Sequence, residues 1–394
     1  MRVESWKAWR IGALVLALAA FVAGAQAETN KSSAGYSYFH DNVPEVPWSI
    51  QVLKIDRSNT NLQLHTTLAN GNAIGLNSLP DQIGTLPAEL GKPIAAINGD
   101  YYYAKAPYKG DPKGVQISRG ELISAPFDWT CVWFDSAGIP TMGIVKSQLS
   151  VTWPDGKVTP VGLNELRAPG NAVIYTRAVG ASTFTTDGME IVLERAAKDG
   201  KWLPLQAGEE YVGLVREVRQ SGNTATASDT MVLSIGPKLI RSVPKLKPGA
   251  TVKISTETSP SLKGVPTAIS GGPALVRDAE VLVGWSAIRH PRTAIGWNKD
   301  YIFWVQVDGR QSGHSVGMTY SELANYMLKL GCQEALNLDG GGSATFWVLG
   351  QVINSPSRGE ARNIANGLVL VQKPQAKNGE TAKAEKPEAP AKAE

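Results

Sequence analysis

Cysteine and histidine are scarce in this chain of 394 residues, which has two of the first and four of the second. Cys131 and Cys332 cannot staple a disulfide scaffold; they leave open one bridge or two buried thiols. With only His40, His65, His290 and His314, a zinc site is poorly supplied. A surplus of charge is also lacking, since 39 Lys and Arg face 35 Asp and Glu. The net +4 is too weak to argue for nucleic acid. Standard motifs are missing as well. There is no G-x-x-x-x-G-K-[ST] phosphate loop and no H-E-x-x-H. Ser343 has no G-x-S-x-G frame, because Thr345 stands where the last glycine belongs.

Long apolar runs occur only at the N-terminus, where Arg2, Lys7 and Arg10 precede the stretch from Ile11 to Gly24 and Ala25-Gln26-Ala27 offers a cleavage site. Residues 1–27 read as a secretory signal peptide, because the apolar run is shorter than the roughly 20 residues of a membrane span. The expectation is an exported protein, periplasmic or secreted, with no stable membrane span once the signal is removed. At the other end, residues 373–394 contain no Val, Ile, Leu, Met or aromatic residue and read as a disordered Lys, Pro, Ala and Glu tail. Residues 28–372 are then one folded unit, and with 43% hydrophobic residues overall the chain can bury a large core.

Within that unit, short runs such as Ser49 to Ile55, Thr130 to Phe134, Met189 to Leu193 and Met231 to Ile235 alternate or are wholly apolar, and turn signals such as Pro154-Asp155-Gly156 punctuate them. The chain is therefore strand-rich, with a β-rich lobe at about 149–259. One helix is clear. Thr319-Tyr320-Ser321-Glu322 forms a capping box, Leu323, Met327 and Leu330 share a face, and Gly331 is the stop signal. Apolar runs at Tyr301 to Val307 and Glu334 to Leu338 flank it. The fold class expected is α+β: mixed, strand-rich sheets with a strand-helix-strand unit near the C-terminus. A right-handed crossover would make the two strands a parallel pair and bring their C-terminal ends to one edge.

Asp308 ends the first of those strands and Asp339 the second, so both carboxylates are expected to face one cleft beyond the strand ends. Asp339 opens the run Gly340-Gly341-Gly342-Ser343, whose bare backbone suits close approach to an anionic or sugar ligand. Other strand ends repeat the pattern. Pro93 to Ile97 runs into Asn98-Gly99-Asp100, and Ala268 to Ser270 runs into Gly271-Gly272. His290 and Arg292, two apart, would share a face in an extended segment, and Arg292 suits a phosphate or carboxylate. Arg310 follows Asp308 closely, and Arg362 precedes Asn363. A divalent cation, Ca or Mg, could be held by Asp308, Asp339 or Asp100. The 11 Trp and 11 Tyr suit sugar stacking or core packing alike.

The blocks N-G-D-Y-Y at Asn98, S-G-G-P-A-L at Ser270, H-P-R-T-A-I-G at His290, V-D-G-R-Q at Val307, N-L-D-G-G-G-S-A-T at Asn337 and R-N-I-A-N-G-L at Arg362 occur in this order. Together they resemble the phosphodiester glycosidase family, over roughly Pro93 to Val371. The chain departs from many relatives in carrying Asp100 and Tyr101 where a second glycine and a phenylalanine are frequent.

The resemblance implies an exported hydrolase acting on a sugar C1–O–phosphate bond in a glycosyl phosphodiester or envelope glycan. Asp339 and Asp308 would be the carboxylates at C1, stabilising or attacking an oxocarbenium-like centre. His290 would protonate the leaving oxygen or bind phosphate. Arg292, Arg310 and the amides of Gly340 to Ser343 would hold the phosphate, with Asn98, Asp100, Gly271, Gly272 and Arg362 in the binding site. Two other classes fit the same residues. One is a metal-dependent phosphodiesterase, and the other is a noncatalytic envelope protein for glycan binding or biogenesis.

Overall fold

A computed structural model describes residues 34–374 apart from residue 199. The segment 1–27 and, beyond its first two residues, the tail 373–394 lie outside the described residues. The chain is mostly β. Among the described residues two α-helices stand beside 27 strands, several of them only two residues long. The mixed class expected from sequence thus reduces to strand-rich sheets with little helix.

Three sheets meet around one core. A seven-stranded sheet runs Tyr36–Val43, Trp48–Asp56, Tyr301–Val307, Arg292–Trp297, Glu334–Asn337, Ala274–Arg277 and Glu280–Val281. A five-stranded sheet centres on Lys92–Asn98 and Gly367–Gln372, and another centres on Thr267–Ser270 and Thr130–Phe134. Leu53, Trp304 and Leu336 from the first, Ile94, Ile97 and Leu368 from the second, and Val132 and Ile269 from the third form one buried cluster. Burying apolar faces of all three sheets there holds them together at about 25 cal/mol per Å² of apolar area. Residues 150–255 supply all eight strands of a further antiparallel-dominated sheet, whose core joins that of the third.

The strand-helix-strand unit has one feature that the sequence did not show. Tyr301–Val307 and Glu334–Asn337 each pair antiparallel with Arg292–Trp297, which lies between them. They therefore run in the same direction one strand apart, not as adjacent partners. The helix Tyr320–Lys329 carries the expected capping box, with the Thr319 hydroxyl accepting from the Glu322 N–H and the Glu322 carboxylate accepting from the Thr319 N–H. Its buried residues Leu323, Ala324 and Met327 seat on the sheet. Gly296 permits that seating, because a Cβ there would stand 2.5 Å from the Met327 methyl carbon and 2.9 Å from Cys332 Sγ. Both cysteines are free and buried in different parts of the core, and burial pushes each thiol up to about 12.

Candidate active site

Several chain segments converge at one edge of these sheets. Lys92–Asn98 ends there, as do Thr267–Ser270, Glu334–Asn337 and Tyr301–Val307, while Arg292–Trp297 begins there because it runs the opposite way. The loop from Asp339 to Thr345 crosses this edge, held by a buried asparagine on each side. Asn98 donates to the Asp339 carbonyl at 2.6 Å and accepts from the Thr345 N–H at 3.0 Å and the Thr293 hydroxyl at 2.6 Å. Asn354 donates to the Ala344 carbonyl at 3.2 Å and accepts from the Phe346 N–H at 2.7 Å. The Asp339 N–H donates in turn to the Gly99 carbonyl.

Asp339 is half-buried, and its Oδ1 accepts the Gly340 N–H at 2.9 Å. Burial raises its pKa; Ser343, the Gly340 N–H and the charges of Arg362 and Lys113 pull the other way. The guanidinium groups of Arg310 and Arg362 border the glycines that follow, and the backbone of Arg292 packs on the first of them. A Cβ at Gly340 would lie 3.6 Å from Arg292 Cα, one at Gly341 would lie 3.1 Å from the Arg310 guanidinium, and one at Gly342 would lie 3.4 Å from that of Arg362. Gly341 also sits at φ +60°, where glycine is at ease and other residues are strained. Glycine here therefore does two things, turning the chain and leaving room for arginine. Arg292 itself is buried. Its Nε donates to the Met318 carbonyl at 2.9 Å and its guanidinium lies 3.9 Å over the Tyr320 ring. Arg362 donates to the Tyr102 hydroxyl from Nε at 2.9 Å.

The expected amide cradle is mostly spent on the loop itself. The Gly340 N–H goes to Asp339, that of Gly341 to the Pro291 carbonyl, and that of Ser343 to the Gly340 carbonyl. The positive charge beside this loop is that of Arg310 and Arg362. His290 also differs from expectation. Its Nδ1 faces Arg310 Nη2 at 3.2 Å, and because arginine only donates, Nδ1 accepts and Nε2 carries the proton. Burial, Arg310 and Arg292 all lower its pKa. A neutral imidazole suits an Nε2–H hydrogen bond to phosphate better than proton donation to a leaving group.

Asp308 takes a place other than the one expected. Its buried carboxylate accepts from the Ser49 hydroxyl at 3.0 Å, His314 Nε2 at 3.0 Å, Gln306 Nε2 at 3.1 Å, the Ser355 N–H at 3.0 Å and Asn354 Nδ2 at 3.4 Å. With its lone pairs occupied, it buttresses Asn354 and through it the loop. The carboxylate that feels Asp339 is Asp100. It is buried, and Oδ1 accepts the Tyr101 N–H at 2.7 Å and Oδ2 the Gly114 N–H at 3.0 Å. Desolvation pushes it up to about 8, and the Asp339 charge adds to the rise.

Gly271 packs against the Asn337 carbonyl, and the Gly272 carbonyl accepts from the Tyr101 hydroxyl at 3.1 Å and Asn337 Nδ2 at 2.7 Å. Asn337 Oδ1 is buried with no protein partner, so this edge holds a polar atom that the chain leaves unsatisfied. Tyr101, Asn337, Tyr320 and Lys113 lie at this edge, and sequence reasoning assigned none of them a site role. Tyr101 and Asn337 stood inside quoted motifs, which was the available signal. Among the described residues no three His, Cys, Asp or Glu side chains form a metal-binding group.

Residues 213–371 match the phosphodiester glycosidase family. The match includes His290, Arg292, Asp308, Arg310, Asp339 and Arg362, and the motif resemblance is shown over that stretch. Asn98 and Asp100 stand outside it. The chain is 35% identical over 115 residues to an uncharacterised protein derived from the SPbeta prophage, YomE of Bacillus subtilis (strain 168), covering 27% of this chain and 18% of that one. A hypothetical protein from Synechocystis has the same fold, with a TM-score of 0.67 at 19% identity over 86% of this chain and 62% of that one. So does a Burkholderia pseudomallei K96243 protein of proposed export, with a TM-score of 0.63 at 20% identity over 82% and 74%. The chain thus spans less than a fifth of the prophage relative and under two thirds of the Synechocystis chain. Among the described residues no helix is long and apolar enough to cross a membrane.

Proposed function

We propose that this protein hydrolyses glycosyl phosphodiesters, cleaving the bond between the sugar C1 and the phosphate oxygen. One observation carries the reading. A partly buried carboxylate, Asp339, opens a glycine turn bordered by the Arg310 and Arg362 guanidiniums, which puts cationic groups suited to an anion beside a negative group. A phosphate monoester is a stable anion, so its departure needs charge stabilisation more than a proton, and the Arg310 and Arg362 guanidiniums with the His290 Nε2–H supply it, the buried Arg292 charge standing behind His290. As C1 becomes cationic, Asp339 stabilises or attacks it. Water then adds to C1, giving the free sugar and the phosphate monoester. Burial and the Asp339 charge both favour a protonated Asp100, so the working carboxylate of the pair in this reading is Asp339. The segment 1–27 supports export, which we include in the proposal.

The test is a screen of the mature protein against sugar-1-phosphodiesters in water labelled with oxygen-18, with and without chelator. Label in the sugar supports C–O cleavage. Label in the phosphate shows P–O cleavage and overturns the reading, and binding without turnover shows a noncatalytic glycan receptor. Loss of activity with chelator would bring in a divalent cation.

A further inference from the structure

Two regions of different chemistry stand near Asp339. One is the glycine loop with Arg310 and Arg362. The other is a cavity of about 360 Å³ lined by Tyr101, Trp129, Ile144, Pro273, Gly272 and Asp128, among others. Tyr101 joins the two regions. Burial raises its phenol pKa, and the neighbouring Tyr320 hydroxyl and the Asp339 charge raise it further. Tyr320 in turn stacks under Arg292. Lys113 makes a second link: its charge acts on Asp339, while its ammonium lies 5.9 Å from the Trp129 ring. The geometry places the cavity and the carboxylate close together, because the Tyr101 hydroxyl on the cavity wall donates to the Gly272 carbonyl at 3.1 Å and accepts from Asn337 Nδ2 at 3.0 Å, two residues before Asp339.

Its chemistry selects an occupant. Trp129 meets Tyr101 edge to face, with ring centroids 5.8 Å apart at 85°, so the two rings form a corner rather than a closed stack. Gly272 has open space where a side chain would stand, and Ile144 is 56% exposed. An apolar platform open on one side suits a flat, weakly apolar surface. Asp128 is the carboxylate among the lining residues, and it sits at φ +49°, a strained setting for a residue with a side chain. A carboxylate repels an anion and accepts hydrogen bonds from hydroxyls. An apolar face with a hydroxylated, uncharged edge describes a neutral pyranose ring.

We propose that the Trp129 and Asp128 cavity is the glycone subsite, which takes a neutral hexopyranosyl ring. The ring packs its C–H face on the Trp129 indole and donates hydroxyls to Asp128, with C1 turned to Asp339 and the phosphate lying on the arginines. This assignment rests on the reaction proposed above and narrows its substrates to phosphodiesters of uncharged sugars.

Calorimetric titration separates the two regions without turnover. The probes are a panel of neutral methyl hexopyranosides, the matching methyl glucuronide, and inorganic phosphate, each run on wild type, Trp129→Ala, Trp129→Phe and Asp128→Asn, with melting temperatures alongside. The expected result is a neutral glycoside bound by wild type, weakened about tenfold or more in Trp129→Ala and less in Trp129→Phe, while phosphate affinity stays the same. Asp128→Asn should weaken the neutral glycoside and improve the glucuronide, because a repulsive charge has gone. Should Trp129→Ala not fold, the other two variants carry the same comparison. Unchanged glycoside affinity in the Trp129 and Asp128 variants, or wild type that binds phosphate but no neutral glycoside, would overturn the assignment. Glycoside binding that depends on Trp129 without hydrolysis of any phosphodiester would keep the subsite and sink the hydrolase.

Discussion

The side-chain amide of Asn98 donates to the backbone carbonyl of Asp339 at 2.6 Å, across 241 residues of chain. That bond, with the Thr345 N–H on the same asparagine, pins both ends of the glycine loop to the end of one core strand. A carboxylate that must meet a reacting carbon within a few tenths of an ångström needs such support, and here it comes from groups that do not touch the ligand. Asp308 and Asn354 do the same from the other side.

Asp308→Ala tests that division of labour. The change leaves Ser49, Gln306, Ser355 and Asn354 without a shared acceptor, and hydrogen bonds to a buried charge are worth about 1.5 to 3 kcal/mol each before relaxation. Denaturant unfolding should show a loss of about 2 to 5 kcal/mol. Turnover per folded molecule should fall far less than in an Asp339 variant. A stable but inactive Asp308→Ala would return this residue to the chemistry.

Gly341→Ala probes the Arg310 side of the loop through the backbone. The added methyl would stand 3.1 Å from the Arg310 guanidinium on a residue held at φ +60°. The strain should cost about 1 kcal/mol of stability. Displacing Arg310 should raise KM for a phosphodiester and weaken inorganic phosphate. An unchanged phosphate affinity would mean that Arg310 lies outside the anion site.

Much of this site was legible, and the part that was not has a plain cause. Strand ends announce themselves locally: Asn98, Gly271, Asp308 and Asp339 each follow an apolar run, and each does lie at a strand end. What a carboxylate then meets is nonlocal. The partners of Asp308 come from Ser49, 259 residues away, and from Ser355, 47 residues away, and no spacing rule links them. Asp308-Gly309 and Asp339-Gly340 look alike as turns, yet one carboxylate is saturated and the other opens the glycine loop. The insertion of Arg292–Trp297 between the two strands was hidden for the same reason, since strand order depends on long-range pairing. Asp100 was identified as a residue but not as the partner of Asp339.

Stability should depend on pH through buried carboxyls and a buried imidazole. Asp111 is buried with Oδ1 unpartnered, and desolvation, Glu165 and Asp100 push it up to about 8, as with Asp100 itself. A carboxyl raised on folding keeps a proton that the unfolded chain releases, so stability falls as pH rises from about 4 to about 8. His65 acts in the opposite sense. Burial and the Arg119 and Lys373 charges lower it to about 4, so stability is lost as pH falls from about 6.5 to 4. The two windows overlap from about pH 4 to 6.5, where two carboxyls outweigh one imidazole, so the melting temperature should decline from about pH 4 and more steeply between about 6.5 and 8. Asp111→Asn should flatten the alkaline decline, and an equally steep decline in that variant would remove Asp111 as its source.

Asp339→Asn separates chemistry from binding. The carboxylate accepts the Gly340 N–H, a bond that an asparagine oxygen can keep, and Asn is a good turn residue, so the loop should hold and the melting temperature should stay near wild type. What goes is the negative charge facing C1. If that charge stabilises or attacks the developing cation, kcat should drop by about 10²-fold or more while affinity for inorganic phosphate is kept or improved, because the lost interaction belongs to the transition state and the removed charge repelled the anion. The pH profile adds a second reading. Wild-type activity should fall on the acid side through a carboxyl pKa above the ordinary range, because burial raises Asp339 and protonation removes the charge that works. The variant should lose that acid limb. Full turnover in Asp339→Asn would leave the carboxylate a turn cap and shift the search for the group at C1 to Asp100.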